Sequence, residues 1–337
     1  MITSNRQFGV EIEFVANDLQ SLIAIANRDV RLIEDGSLRP LKYAREYVSQ
    51  PLSGKSGASE IRRVCEILKK YGASCDNPKT SMHVHLDGRR FDNGTLKAST
   101  TKPTDVNNND RVIAVSGKLK REVGVKGIVG ILNKDFYYND IIMQATPFNG
   151  IVYYSLGTLD KEPKGTGYTY YYFERPSRLE WLRNVLYFYT KFSNTMEIIV
   201  SNSRRFGNMY CIPLGDSYDL DDIAGATDMD GLSNVWYKGR GRGGHYDDSR
   251  YHNVNIHSYW DRHGTVEIRS HGGTIDADKV LMWVKLHQKI VDKLEDTQLE
   301  TLIKLEPTHA SFLEFIEEPM LQEYVKRLAG YYSGINI

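Results

Sequence analysis

FGVEIEF, residues Phe8–Phe14, decides how this chain is read. Apolar and acidic residues alternate through it. Val10, Ile12 and Phe14 fall on one face of a strand, and Glu11 and Glu13 on the other. Val, Ile and Phe are also residue types that strands favour. The two carboxylates therefore project the same way, roughly 7 Å apart at two residues of strand rise. Such a pair needs something cationic opposite it: Lys or Arg with water, or metal ions.

The pattern returns twice. SMHVHLD (81–87) sets His83 and His85 opposite Met82, Val84 and Leu86. GTVEIRSH (264–271) sets Glu267, Arg269 and His271 opposite Val266 and Ile268. Three strands each carry metal-competent or phosphate-competent side chains on one face. Together they predict one sheet packed on a core, with its open face a chemical site.

At 337 residues the chain can bury a substantial core. Apolar content of 41% and charged content of 26% are those of a globular protein. The formal net charge of zero argues against general attraction to nucleic acid or membrane surfaces. No apolar run reaches membrane-span length, and MITSNRQFGVEIEF lacks an apolar signal core. Cys65, Cys75 and Cys211 form no C-x-x-C, so a reduced, cytoplasmic setting without a cysteine zinc site is expected.

Along the chain, a helix or turn is expected near 18–28, and Asp35-Gly36-Ser37 reads as a turn. REYVSQPL (45–52) reads as a strand carrying Glu46. Residues 53–59 look like a linker before an amphipathic helix with Ile61, Val64, Cys65 and Leu68 on its stripe. Residues 88–125 are polar and aperiodic, an irregular insertion. Residues 127–175 read as short strands and loops. Ser177 and Glu180 suggest a capping box for one long helix striped from Leu182 to Ile199. YKGRGRGGHYDD (237–248) is a flexible Gly/Arg loop without the Lys-Ser/Thr ending of a Walker A motif. RYHNVNIHSYW (250–260) and GTVEIRSH pair as strands across a turn at 261–264. Helices follow over 276–294 and in a tail at 297–337. Strands early and late, with helices between and after, predict an α+β fold. All 337 residues are read as one catalytic domain.

Each ladder alone has a plainer reading. E-x-E reads as a solvated strand face and Glu267 with Arg269 as a cross-strand ion pair, while H-x-H reads equally as an exposed face or a metal-ligand pair. Their order is more specific. E-x-E, the D-G-S turn with a later Glu, H-V-H, SRRFGNMYC (203–211), RYHNVN and TVEIRSHGGTID form a composite that resembles the amidoligases. These are the carboxylate–amine ligase relatives of glutamine synthetase and glutamate–cysteine ligase. The resemblance spans about residues 8–290.

The resemblance implies a curved antiparallel sheet, a half-barrel of the glutamine-synthetase kind, with helices on its outer face. It implies ATP and Mg²⁺, two or more ions, with Mn²⁺ as substitute. Glu11, Glu13, Glu46, His83 and Glu267 match metal ligands. His85 would lie near the nucleotide. Arg269 matches the arginine on the transferred phosphoryl group, and Arg250 would meet phosphate or the substrate carboxylate. Arg204 and Arg205 stand in the family's Arg-rich stretch as nucleotide-side residues. Arg269, Arg250 and Glu46 are the expected catalytic groups. The partners implied are small-molecule or peptide carboxylates and amines, with neither membrane nor nucleic acid. Oligomeric state is left open. Two other classes compete: a metal-dependent hydrolase using the same His/Glu set, and a non-catalytic RNA- or protein-binding module using the Gly/Arg run.

Overall fold

The computed structural model describes residues 4, 6–88, 178–205, 207–260 and 264–337, and six strands between 89 and 177. Two compact units emerge. One combines residues 1–88 with 179–337, and the other is 89–178. Much of the 88–125 stretch, together with Ser177 and the turn at 261–263, lies outside the described residues.

The first unit begins β1 (Phe8–Ala16), α1 (Leu19–Ala26), β2 (Leu32–Ile33), β3 (Ala44–Val48), α2 (Gly54–Lys70), β4 (Ala73–Ser74) and β5 (Ser81–Asp87). The second contains β6 (Thr95–Ser99), β7 (Val112–Ser116), β8 (Gly130–Ile131), β9 (Ala145–Phe148), β10 (Ile151–Tyr154) and β11 (Thr169–Glu174). These make two antiparallel three-stranded sheets, ordered β8-β10-β9 and β6-β11-β7. The first unit resumes with α3 (Leu179–Lys191), α4 (Ser193–Ile198), α5 (Leu220–Gly225), α6 (Met229–Tyr237), β12 (Val254–Asn255), α7 (His257–Trp260), β13 (Thr265–Gly272) and α8 (Ala277–Lys293). It ends with α9 (Leu299–Lys304), α10 (His309–Ile316) and α11 (Pro319–Ser333).

The fold is α+β, as the order of elements predicts. Its main sheet is open, seven-stranded and antiparallel, ordered β12-β13-β5-β1-β3-β2, with β4 also on β1. The period-2 pattern sorts its faces. Phe8, Val10, Ile12 and Phe14 of β1, Met82, Val84 and Leu86 of β5, and Val266 and Ile268 of β13 are all buried. They join one core with Ile61, Val64 and Leu68 of α2 and Val280, Trp283, Val284 and Val291 of α8. Burying a large apolar side chain contributes about 1.5–3 kcal/mol, so this face fixes the register of β1, β5 and β13.

Four local expectations are corrected. Residues 53–59 are not a linker; α2 starts at Gly54. The long helix is interrupted at Phe192, giving α3 and α4. The expected strand at 250–260 shrinks to Val254–Asn255, between a 3₁₀ turn (Asp248–Tyr251) and α7. His271 leaves the polar face. Between Ile268 and His271 the register against β5 shifts, so His271 lies opposite Met82. One extra residue in a strand reverses the side on which later side chains emerge. The His271 ring then packs 5.0 Å from that of Trp283 in α8.

A buried arginine ties the start of the chain to α8. Arg6 Nε meets Asp292 Oδ1 at 2.6 Å, and its other nitrogens meet Glu295 and donate to Asp87 O. Gln288 Nε2 donates to Arg6 O at 2.7 Å, and the guanidinium lies 5.3 Å from the centre of the Trp181 ring. Among the described residues, no helix is long and apolar enough to cross a membrane.

Candidate metal centre

The register brings the ladders together. Glu11 pairs with His83, Glu13 with Glu46, and Glu267 with His85. Two clusters result, side by side on the polar face. In the first, one ligand atom each from Glu11, His83 and Glu267 lie within 4.8 Å of one another. In the second, the carboxylates of Glu13, Asp35 and Glu46 do the same.

Histidines and one arginine hold the first cluster. His83 Nδ1 lies 3.1 Å from Glu11 Oε2 and 3.5 Å from Glu267 Oε1. His85 Nε2 is 3.3 Å from Glu11 Oε1, and its Nδ1 is 2.9 Å from Thr265 Oγ1. Arg269 Nη1 donates to Glu267 Oε1 at 2.5 Å, and Asn255 Nδ2 to Glu267 Oε2 at 2.6 Å. Burial pushes the Glu267 carboxyl up, but Arg269, His85 and His83 overcome it and hold it down to about 2. Burial likewise opposes ionisation of Glu11, yet His85 and His83 keep it well below the usual carboxylate range. Burial works against charge on His85, and Glu11 and Glu267 more than restore it. Arg269 follows the same logic: burial disfavours its charge, and Glu267 raises its pKa regardless.

The second cluster is short of positive charge. Among the described residues no Lys or Arg forms an ion pair with Glu13, Asp35 or Glu46. Burial first, then the carboxylates of Glu11, Asp35, Glu13 and Glu267, push Glu46 up to about 10. Three acids this close cannot all ionise without a cation. Oxygen-rich donors of this kind suit Mg²⁺ or Mn²⁺, and the first cluster adds one imidazole. Both donor sets thus fit divalent ions.

A pH consequence follows for the ion-free protein. The folded pKa of Glu46 near 10 stands above the ordinary 4.5. Between those values the unfolded chain has released a proton that the folded chain keeps. Glu46 therefore lowers stability as pH rises, by up to about 1.4 kcal/mol per pH unit. Glu46→Gln should flatten that slope. Denaturant titrations in chelator at pH 5 and pH 9 measure it; equal slopes in the two proteins would refute the effect.

The arginines divide. Arg204 is buried, with Nη2 donating to Thr80 O at 2.6 Å. Burial lowers its pKa, Cys211 and Glu13 act to raise it, and Arg269 opposes its charge. So Arg204 sits within electrostatic reach of both Glu13 and Arg269. Its Nε and the Nε of Arg269 are buried without a hydrogen-bond partner. Arg205 is elsewhere: it donates to Val200 O, Tyr332 O and Ser333 Oγ, which ties it to α11. Arg250 is not in either cluster. Its guanidinium lies 5.3 Å from the rings of both Tyr246 and Tyr251.

Sequence reading missed four residues. Asp35 was legible only as a turn former, and it is one: its Oδ1 accepts from Ser37 N at 2.5 Å, capping a 3₁₀ turn at Gly36–Leu38. Its placement beside Glu46 follows from β2 pairing with β3, where Ile33 lies opposite Glu46. Asn255 stood inside the RYHNVN motif without a role. Ser81 and Thr265 stood at the edges of the SMHVHLD and GTVEIRSH stretches, likewise without a role.

One sheet face thus sets two acid clusters beside a buried Arg–Glu pair. Residues 174–291 match a family model described as "Putative amidoligase enzyme". The matched segment carries Arg204, Arg205, Arg250, Glu267 and Arg269. The match bears out the resemblance to amidoligases and points to an amide-bond ligase. No curated protein and no solved structure gave a match.

Proposed function

We propose that this chain is an ATP-dependent carboxylate–amine ligase, with its open sheet serving as the half-barrel of a glutamine-synthetase-like fold. The observation that carries the reading is the pair of adjacent clusters, Glu11–His83–Glu267 and Glu13–Asp35–Glu46, on one sheet face beside Arg269. Two ions held in these clusters would suit the phosphates of a nucleotide.

A carboxylate resists amines because its leaving group would be oxide. Phosphoryl transfer from ATP supplies the activation: acid and ATP give acyl phosphate and ADP, then amine displaces phosphate to give the amide. Glu11, His83 and Glu267 would hold one ion, and Glu13, Asp35 and Glu46 the other. Arg269, fixed by Glu267, and Arg204 would place buried positive charge where phosphoryl oxygens gather negative charge. Their two unpartnered Nε groups support this, since a buried donor without an acceptor is costly. His85 would border the nucleotide from its place between Glu11 and Thr265.

The test is a screen of carboxylate–amine pairs with ATP and Mg²⁺, scored by ADP release. The reading expects release that requires both substrates and the ion. Hydrolysis of a substrate without ATP, supported by Zn²⁺ or Mn²⁺, would replace the ligase with a hydrolase.

A further inference from the structure

We propose that Ser81 is a positioning residue shared by both clusters, and that its hydroxyl exchanges hydrogen-bond roles when a divalent ion enters the Glu11–His83–Glu267 cluster. This rests on the metal reading above. Ser81 opens β5 and is 2% exposed. Its backbone N–H donates to Glu13 Oε2 at 2.6 Å. Its Oγ lies 2.9 Å from His83 Nε2. A single residue thus touches one ligand of each cluster.

The peptide before it is clamped at both ends. Thr80 O accepts from Arg204 Nη2 at 2.6 Å and from Gly273 N at 3.0 Å. The guanidinium meets the negative end of the Thr80–Ser81 peptide dipole, and Glu13 meets its positive end. Both charges favour the same orientation, and charge-assisted bonds are the stronger kind. Ser81 is therefore held in place before any ion arrives.

Its hydroxyl then faces a ring that must change. His83 Nδ1 points at Glu11 and Glu267. Without an ion, Nδ1 donates to Glu11, and in the neutral ring Nε2 accepts from the Ser81 hydroxyl. A nitrogen that ligates an ion gives up its proton and offers a lone pair. The neutral ring then carries its one proton on Nε2, after exchange with water, and Ser81 Oγ accepts from it. A hydroxyl is both donor and acceptor, so the contact survives both states. Alanine would leave Nε2 buried and unpaired in either. Partners that fix a ligating imidazole are worth about 10- to 100-fold in metal affinity.

Manganese binding to the full chain, followed by calorimetry and electron paramagnetic resonance, tests this with Ser81→Ala and Ser81→Thr. Ser81→Ala should weaken one class of Mn²⁺ site about 10- to 100-fold and spare the other, since its backbone bond to Glu13 remains. Ser81→Thr should restore the lost affinity. Nitrogen-15 shifts of His83 in the wild type should move from the Nδ1-protonated to the Nε2-protonated ring on Mg²⁺ saturation, a readout that needs no variant to fold. Wild-type affinity at every site in Ser81→Ala would overturn the role of Ser81 alone, as would an Nδ1-protonated His83 in the Mg²⁺-saturated protein. A wild type that binds no Mn²⁺ would overturn the metal reading along with it.

Discussion

Glu267→Gln is expected to abolish ion-dependent nucleotide binding and to weaken the fold at the same time. Glu267 is the acceptor for Arg269 and Asn255 and lies within reach of His83 and His85. The amide is almost the same shape, so packing is spared and charge is the variable. As a ligand of the proposed ion site, Glu267 should cost more when lost than the 10- to 100-fold typical of residues one step removed. Arg269 meanwhile stays buried without its countercharge. Breaking one side of such a pair costs about 3–5 kcal/mol; the retained amide oxygen places this case near the low end. Calorimetry with Mn²⁺ and ATP reads the first effect, and denaturant unfolding in chelator the second. Unchanged ion affinity would remove Glu267 from the metal centre. Unchanged stability would mean that solvent or Glu11 replaces the lost charge.

Arg6→Ala should give the largest loss of stability outside the site. It removes a charge that faces Asp292 and Glu295, a donor to Asp87 O, and a cation lying against Trp181. Asp292 in the last turn of α8 and Glu295 just past its end would both lose their countercharge. About 3–5 kcal/mol is expected, with lost side-chain packing adding to it. Lysine should rescue only in part, because an ammonium lacks the planar fork that meets several acceptors at once. Ion binding by the folded protein should be retained, since Arg6 touches no ligand. A loss below about 1 kcal/mol would show that the network contributes no more than an exposed ion pair.

Alternation along a strand is a local property, so Glu11, Glu13, His83, His85 and Glu267 were readable as face-sharing residues. That they share one face of one sheet depends on pairing, which the motif order suggested through the family resemblance. His271 shows the limit: a single bulge reverses it, and nothing in TVEIRSH marks where the extra residue falls. Asp35 was read as a turn former and is one; its place beside Glu46 was not legible, because it depends on β2 pairing with β3. Arg204 and Arg205 are adjacent and chemically identical, and only the neighbouring carbonyls separate them. The long apolar stripe from Leu182 to Ile199 concealed the interruption at Phe192, since hydrophobic spacing continues across it.

The pairing of β13 with β5 also sets a schedule for biosynthesis. His85 and Thr265, joined by a hydrogen bond, are 180 residues apart. At translation rates of about 5–20 residues per second, β5 waits roughly 9–36 s on the ribosome for its neighbour. Through that interval β1, β3 and β5 can assemble while one edge of β5 stays open, with unpaired amides and Met82, Val84 and Leu86 uncovered by β13. An open apolar edge invites pairing with other nascent chains. The same interval leaves Glu11 and His83 without Glu267, so the Glu11–His83–Glu267 cluster is complete only after the last strand of the sheet has docked.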